Sequence, residues 1–299
     1  MRMRMQFDRR EMLRTGSVGM AGLILSGFAA EASGGRHEAL RGASPGTTGA
    51  RAEAQDSPAG QMTTKAAPKA LVFDTFGTIV DWRGSIIEEG VVWGKAKGIN
   101  IDWGHFADRW RGGYGPAMAK VRSGALPWTK LDGLHRMILE DILKEFNITG
   151  LTEEEKEDWT RVWHRLKPWP DSVAGLTRLK AKYIIAPLSN GNVSLLTDMA
   201  KREGLPWDLI LSAELAKHYK PDRECYLTAV DLLSLKPEEV MMVAAHSSDL
   251  EAARSFGLKT GFIYRPNEYG TGRKPNKAMP GQFDVVSNDA VDLAAQMGA

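Results

Sequence analysis

At 299 residues, 43% hydrophobic and 25% charged, the chain has the composition of an ordinary globular protein, long enough for one core domain plus an insertion. A formal charge of +2 is too small to suggest the clustered basic face that nucleic acids or other polyanions require, so no DNA or RNA partner is expected. A single cysteine, Cys225, excludes an internal disulfide and a multi-cysteine metal site, and without a papain-like or caspase-like neighbourhood it reads as a small buried side chain.

In chain order, the first segment is an address. Asp8-Arg9-Arg10-Glu11-Met12-Leu13-Arg14 precedes a mildly apolar run, Val18 to Ala30, and Ala30-Glu31-Ala32 then fits a small-x-small cleavage site. The run is broken by Gly19, Gly22 and Gly27 and is too short to cross ~30 Å of hydrocarbon at ~1.5 Å per residue, so it reads as a removed signal and not an anchor. Residues 1–32 resemble a twin-arginine signal peptide, against the bland alternative of a frayed basic terminus. The resemblance implies passage through the twin-arginine translocase to a periplasmic or secreted location. A lone cysteine suits that oxidising setting. The segment carries the whole formal charge, which leaves the mature chain near neutral. Residues 33–68 are mostly Gly, Ala, Ser, Thr and Pro with scattered charges, too poor in large apolar residues to fold, and are expected to form a flexible linker.

Ala70-Leu71-Val72-Phe73 is a continuous apolar run ending at Asp74, the pattern of a strand buried on both faces. Similar runs recur at Tyr183 to Leu188, Leu209 to Ser212, Val240 to Ala245, Thr260 to Tyr264 and Phe283 to Val286. Amphipathic stretches lie between them, such as Val193 to Glu203, closed by Gly204, and Pro221 to Leu235. This alternation predicts an α/β fold with a parallel, doubly wound sheet, whose ligands sit beyond the carboxyl ends of the strands. The first two strands are more than a hundred residues apart, far beyond an ordinary crossover, which predicts a helical cap inserted over residues 85–167 into a core formed by 69–84 and 168–299. Helices are expected there at Ile86 to Lys97, His105 to Arg111 and Leu131 to Phe146. Thr152 and Glu155 form a capping-box pattern, and Trp159, Val162, Trp163 and Leu166 follow at helical spacing.

The chemistry-bearing residues fall at strand ends. In Asp74-Thr75-Phe76-Gly77-Thr78 a carboxylate stands before a glycine that allows a sharp turn and a threonine that can donate a hydrogen bond. Such a carboxylate can act as a nucleophile and form an ester, or merely cap a turn. Leu188-Ser189-Asn190-Gly191-Asn192, Lys220-Pro221-Asp222 and Val243-Ala244-Ala245-His246-Ser247-Ser248-Asp249 follow later strands. Singly, Ser189, Lys220 and Asp249 could be helix caps or solvated helix starts, but their joint order is poorly explained that way.

From about residue 69 onward, including Trp110-Arg111 and Arg265-Pro266, these motifs resemble the haloacid dehalogenase superfamily, and within it the L-2-haloacid dehalogenases. The resemblance implies a Rossmann-like core with a helical cap. It also implies hydrolytic dehalogenation of short 2-haloalkanoic acids to 2-hydroxy acids, with Asp74 attacking carbon 2, inversion there, and water cleaving the resulting ester. By the same resemblance Lys220 holds Asp74 ionised, Thr78 and Ser189 fix the nucleophile and the substrate carboxylate, Arg111 and Asn190 receive the halide, and Tyr226 lines the site. Asp249 would position Lys220 or activate water. Phosphatases of the superfamily carry a second aspartate where Phe76 stands here; phenylalanine can neither protonate a leaving group nor help hold Mg²⁺, so no metal or cofactor is expected.

Where well-studied dehalogenases have a serine, an asparagine and an aromatic, this chain has Ala244, His246 and Ser248. His246 could position water, act as a base, or be a hydrogen-bonded loop residue. Arg109 and Tyr114 read equally well as solvated cap residues. The rival readings are a Mg-dependent phosphatase or phosphonate hydrolase, a receiver-like phosphorylated switch, which would lack the large insertion, and a non-catalytic binding protein on the same scaffold. The partners expected are a 2-haloacid, water and the translocase, with homodimer formation left open.

Overall fold

The computed structural model describes residues 67–299, so the twin-arginine signal and all but the end of the linker lie outside the described residues. Six parallel strands, β1 (Ala70–Phe73), β2 (Ile184–Ser189), β3 (Leu211–Ser212), β4 (Val240–Ala244), β5 (Lys259–Ile263) and β6 (Val285–Ser287), form one sheet in the order β3-β2-β1-β4-β5-β6. Every residue of β1, β4 and β5 is buried, as strands covered by helices on both faces must be, the Lys259 and Thr260 that open β5 included. In register, Phe73 at the end of β1 pairs with Pro187 on one side and Val243 on the other. The winding reverses between β1 and β4, and the crevice that such a reversal opens lies at their carboxyl ends.

Helices α1 (Trp82–Lys97), α2 (Trp103–Arg122), α3 (Leu131–Glu145) and α4 (Glu153–Thr160) stand between β1 and β2, followed by a 3₁₀ turn at Arg161–His164 and by α5 (Ser172–Lys180). The remaining helices are α6 (Val193–Glu203), α7 (Ala213–Ala216), α8 (Arg223–Leu232), α9 (Ser247–Ser255) and α10 (Ala290–Gln296). The capping box forms as read: the Thr152 hydroxyl accepts from Glu155 N, and the Glu155 carboxylate accepts from Thr152 N. Gly204 closes α6 in the left-handed region at φ 69°.

Two helices depart from expectation. Helix α2 continues through Gly112, Gly113, Gly115 and Pro116, residues that ordinarily end a helix. A Cβ at Gly113 would lie 2.6 Å from Ile138 of α3, so the missing side chain lets the two helices approach closely. The stretch after Trp159 is not one amphipathic helix but tightens into the 3₁₀ turn, where three successive residues, Val162, Trp163 and His164, are all buried, more than one helical stripe accommodates.

His164 ties elements together. Its Nδ1 lies 2.8 Å from Asp198 of α6 and its Nε2 3.1 Å from both carboxylate oxygens of Asp132 in α3. Burial opposes a charged ring, but the hydrogen bonds and charges of Asp132 and Asp198 outweigh it and raise the pKa. A folded-state pKa above the unfolded value of ~6.5 stabilises the fold fully below that value, and the gain disappears as pH rises through the folded value. Substituting His164→Gln should therefore lower the unfolding midpoint by about 2–4 °C, the shift ~1 kcal/mol produces in a domain of this size, at pH 5.5. Melting curves across pH should show the gap to the unsubstituted protein narrowing in alkaline buffer.

Candidate active site

The turn after β1 carries the central group. Asp74 N donates to Val243 O of β4 (2.9 Å), which fixes the carboxylate at the crevice. One carboxylate oxygen, Oδ2, accepts from Thr78 Oγ1 (2.8 Å) and lies 3.1 Å from His246 Nδ1; the other, Oδ1, accepts from Lys220 Nζ (2.9 Å). Thr78 is itself held, accepting at its hydroxyl from Ala245 N (2.9 Å) and at its carbonyl from Arg265 Nε (2.8 Å). The Arg265 guanidinium forks onto both oxygens of Asp171 (2.7 and 2.9 Å), a planar two-point match.

Lys220 also donates to Asp249 Oδ2 (2.6 Å), whose other oxygen accepts from Tyr226 Oη (2.6 Å). Asn190 Oδ1 accepts from Lys220 N (2.7 Å) and so places the lysine's backbone. His246 reaches a second carboxylate through Nε2, 2.9 Å from Glu268 Oε1. Glu268 is 1% exposed and also accepts from Trp82 Nε1 (3.4 Å).

The charge states follow from these contacts. Burial opposes ionisation of Asp74, yet the nearby Lys220 charge and the His246 hydrogen bond hold its carboxyl far below the usual range. Burial likewise opposes a charged Lys220, but Asp249 and Asp74 keep it above its ordinary value. For His246, desolvation alone would discharge the ring; the carboxylates of Asp74 and Glu268 reverse this and push it up to about 10. The resting ring is an imidazolium, not a group poised near its ordinary value.

Around these residues lies a cleft of about 540 Å³, counted out to its open mouth, lined by Asp74, Phe76, Arg111, Tyr114, Asn190 and Lys220, and by Pro221, Tyr226, His246, Ser248 and Asp249. Phe76 is buried and edge-on to Trp163 (5.6 Å) and Tyr114 (6.4 Å). The Arg111 guanidinium lies 4.3 Å from the centre of the Tyr114 ring, and its Nη1 is buried with no hydrogen-bond partner among the described residues.

Nine of the ten residues singled out in the sequence as site candidates thus line the cleft or hold Asp74 directly. The tenth, Ser189, is fully buried at the end of β2 and accepts from Gly191 N (3.1 Å), so it shapes the Asn190 turn. Arg109 is solvated and paired with Glu145. Of the two readings left open for Tyr114, the structure takes the cleft wall, because α2 runs on past the glycines. Cys225 is buried as expected, its thiol pushed up to about 12 by desolvation. Glu268 escaped sequence reading altogether. Among the described residues no cluster of three or more His, Cys, Asp or Glu is arranged to hold a metal ion.

A doubly wound parallel sheet with an aspartate at the end of its first strand, paired to a lysine from a later loop, fits hydrolases that use a carboxylate as nucleophile. The chain belongs to the haloacid dehalogenase-like hydrolases, whose family pattern matches residues 68–257. It is 32% identical over 216 residues to (S)-2-haloacid dehalogenase 4A of Burkholderia cepacia, across 67% of this chain and 86% of that one. With (S)-2-haloacid dehalogenase 1 of Pseudomonas sp. (strain CBS-3) it shares 28% identity over 223 residues, 67% and 88% of the two chains. The solved structure of a defluorinating L-2-haloacid dehalogenase superposes with a TM-score of 0.76 at 47% identity, covering 78% of this chain and 96% of that one.

Gly77 joins the turn to Glu268. It adopts φ 87°, and a Cβ there would lie 2.2 Å from Glu268 Oε1. Replacing Gly77→Ala combines a strained backbone worth about 1–3 kcal/mol with displacement of the carboxylate. Thermal unfolding should show a midpoint lowered by more than about 4 °C. Adding Glu268→Ala should cost less than it does in the unsubstituted protein, because the clash, though not the backbone strain, is then gone.

Proposed function

We propose that the protein hydrolyses short 2-haloalkanoic acids to 2-hydroxy acids through an ester formed on Asp74. The observation that carries this reading is an ionised Asp74 in a cleft lined also by the apolar Phe76 and by Arg111, whose buried Nη1 has no hydrogen-bond partner among the described residues. An Asp74 oxygen displaces halide from carbon 2 with inversion. Halide departs as a stable anion, so the step needs neither a general acid nor a cation on the leaving group, and Phe76 suits it. Arg111 and Asn190 supply donors for the halide or the substrate carboxylate, while Lys220 and Thr78 orient the nucleophile. Water then cleaves the ester. Support comes from relatives named as 2-haloacid dehalogenases, and the one named for defluorination makes 2-fluoro acids a substrate to assay beside chloro acids. The order of Arg9-Arg10, an apolar run and Ala30-Glu31-Ala32 supports export by the twin-arginine translocase and work in a periplasm or outside the cell.

The test is halide release from the two 2-chloropropanoate enantiomers by the mature protein, with EDTA and with Mg²⁺, beside an aryl phosphate. Halide release that favours one enantiomer and survives EDTA is expected, and Asp74→Asn should reduce it at least about 10³-fold. Mg²⁺-dependent phosphate release without halide would overturn the proposal in favour of a phosphatase.

A further inference from the structure

Nothing in the displacement step uses Glu268, although a buried carboxylate is costly unless it is paired. It sits on the loop after β5, its carboxylate enclosed by Trp82 Nε1, the Tyr269 hydroxyl and His246 Nε2, in space that Gly77 leaves open. Beyond it the contacts run in one line: Glu268 to His246 Nε2 (2.9 Å), and His246 Nδ1 to Asp74 Oδ2 (3.1 Å). His246 therefore stands on the nucleophile's side. In an in-line displacement the halide leaves from the opposite side of carbon 2, beyond the ring's reach, whereas the ester carboxyl forms beside it. Asp249 is a weaker base for that ester, since Lys220 holds one of its oxygens and Tyr226 the other.

We propose that Glu268 is a positioning residue for the second half-reaction: it holds the proton on His246 Nε2, so that Nδ1 serves as general base for the water that cleaves the Asp74 ester. This rests on the dehalogenase reading. In the resting enzyme the imidazolium donates to Asp74 and to Glu268. Esterification removes the negative charge of Asp74, the Nδ1 proton passes to solvent through the cleft that His246 lines, and this is the one proton the overall reaction releases. The neutral ring keeps Nε2–H on Glu268, which fixes the tautomer as the third member of a nucleophile–base–carboxylate arrangement does. Water adds to Asp74 Cγ and gives one proton to Nδ1. The tetrahedral species collapses by breaking its bond to the product oxygen, which takes the remaining proton of the added hydroxyl. The products are halide and a 2-hydroxy acid, and the Asp74 carboxylate is restored beside an imidazolium. The charged groups facing the ring are Asp74, Glu268 and, through Asp74, Lys220, with Tyr269 on Glu268.

Rapid-quench halide release and intact-protein mass on Glu268→Gln and His246→Gln test the inference. Both variants should release a burst of about one halide per site and then turn over slowly, with the ester adduct accumulating on Asp74. Ester hydrolysis should fall ~10²–10⁴-fold in His246→Gln, the usual contribution of a general base, and at least about tenfold in Glu268→Gln. The burst itself shows that each variant is folded. Burst and turnover slowed together without adduct would overturn the proposal, as would a Glu268→Gln variant that turns over like the unsubstituted protein. If the unsubstituted protein releases no halide and gains no adduct, the dehalogenase reading fails first, and this one with it.

Discussion

A carboxylate that must stay ionised where little water reaches it sets the terms for everything around Asp74. Its neighbours each offset part of the lost hydration: Lys220 on one oxygen, Thr78 and His246 on the other. Those groups need partners in turn, and the requirement spreads outward. Lys220 takes Asp249, His246 takes Glu268, and Thr78 leans on Ala245 N and Arg265. Three carboxylates, Asp74, Asp249 and Glu268, thereby share the site with three cations, Lys220, His246 and Arg111. A balanced cluster of this kind loses much when one member is removed, because the remaining charge is left buried and unmatched.

The sheet supplies the geometry this balance needs. Asp74 follows β1, Asn190 follows β2, His246 and Asp249 follow β4, and Arg265 and Glu268 follow β5, so parallel strands deliver acids and bases from distant parts of the chain to one edge. This is also why much of the site was legible without coordinates. Buried parallel strands are continuous apolar runs, and a polar residue that ends such a run stands at the mouth of the crevice whatever the details of packing. Asp74, Asn190 and His246 are of that kind, and Asp249 follows in the first turn of α9.

What escaped notice lacked a periodic or strand-end signal. Glu268 sits in a loop, and its partner His246 lies 22 residues earlier, so only the fold brings them within 2.9 Å. The full length of α2 was hidden because local propensity counts Gly112, Gly113, Gly115 and Pro116 against a helix, while close contact with α3 favours them. The same packing decides between the two readings open for Tyr114 and makes it part of the cleft wall. Beyond Trp159 the spacing was helical, but burying Val162, Trp163 and His164 in succession called for a tighter turn. In each case a tertiary contact outweighed a local preference.

The helices between β1 and β2 leave the sheet and return to it at a single place. Val80 pairs with Pro168, Asp81 N donates to Lys167 O (2.9 Å), and Trp169 N donates to Ile79 O (3.0 Å). Chain outbound and chain inbound are laced side by side by these main-chain contacts, with Lys167 N also donating to Ser85 Oγ (2.8 Å). The turn that carries Asp74 is thus anchored at the base of the loop, while residues far out in the loop, Arg111 and Tyr114, reach back to line the cleft. One stretch of chain thereby places the nucleophile and another supplies part of the wall that a substrate would meet, so the two can be altered by different substitutions.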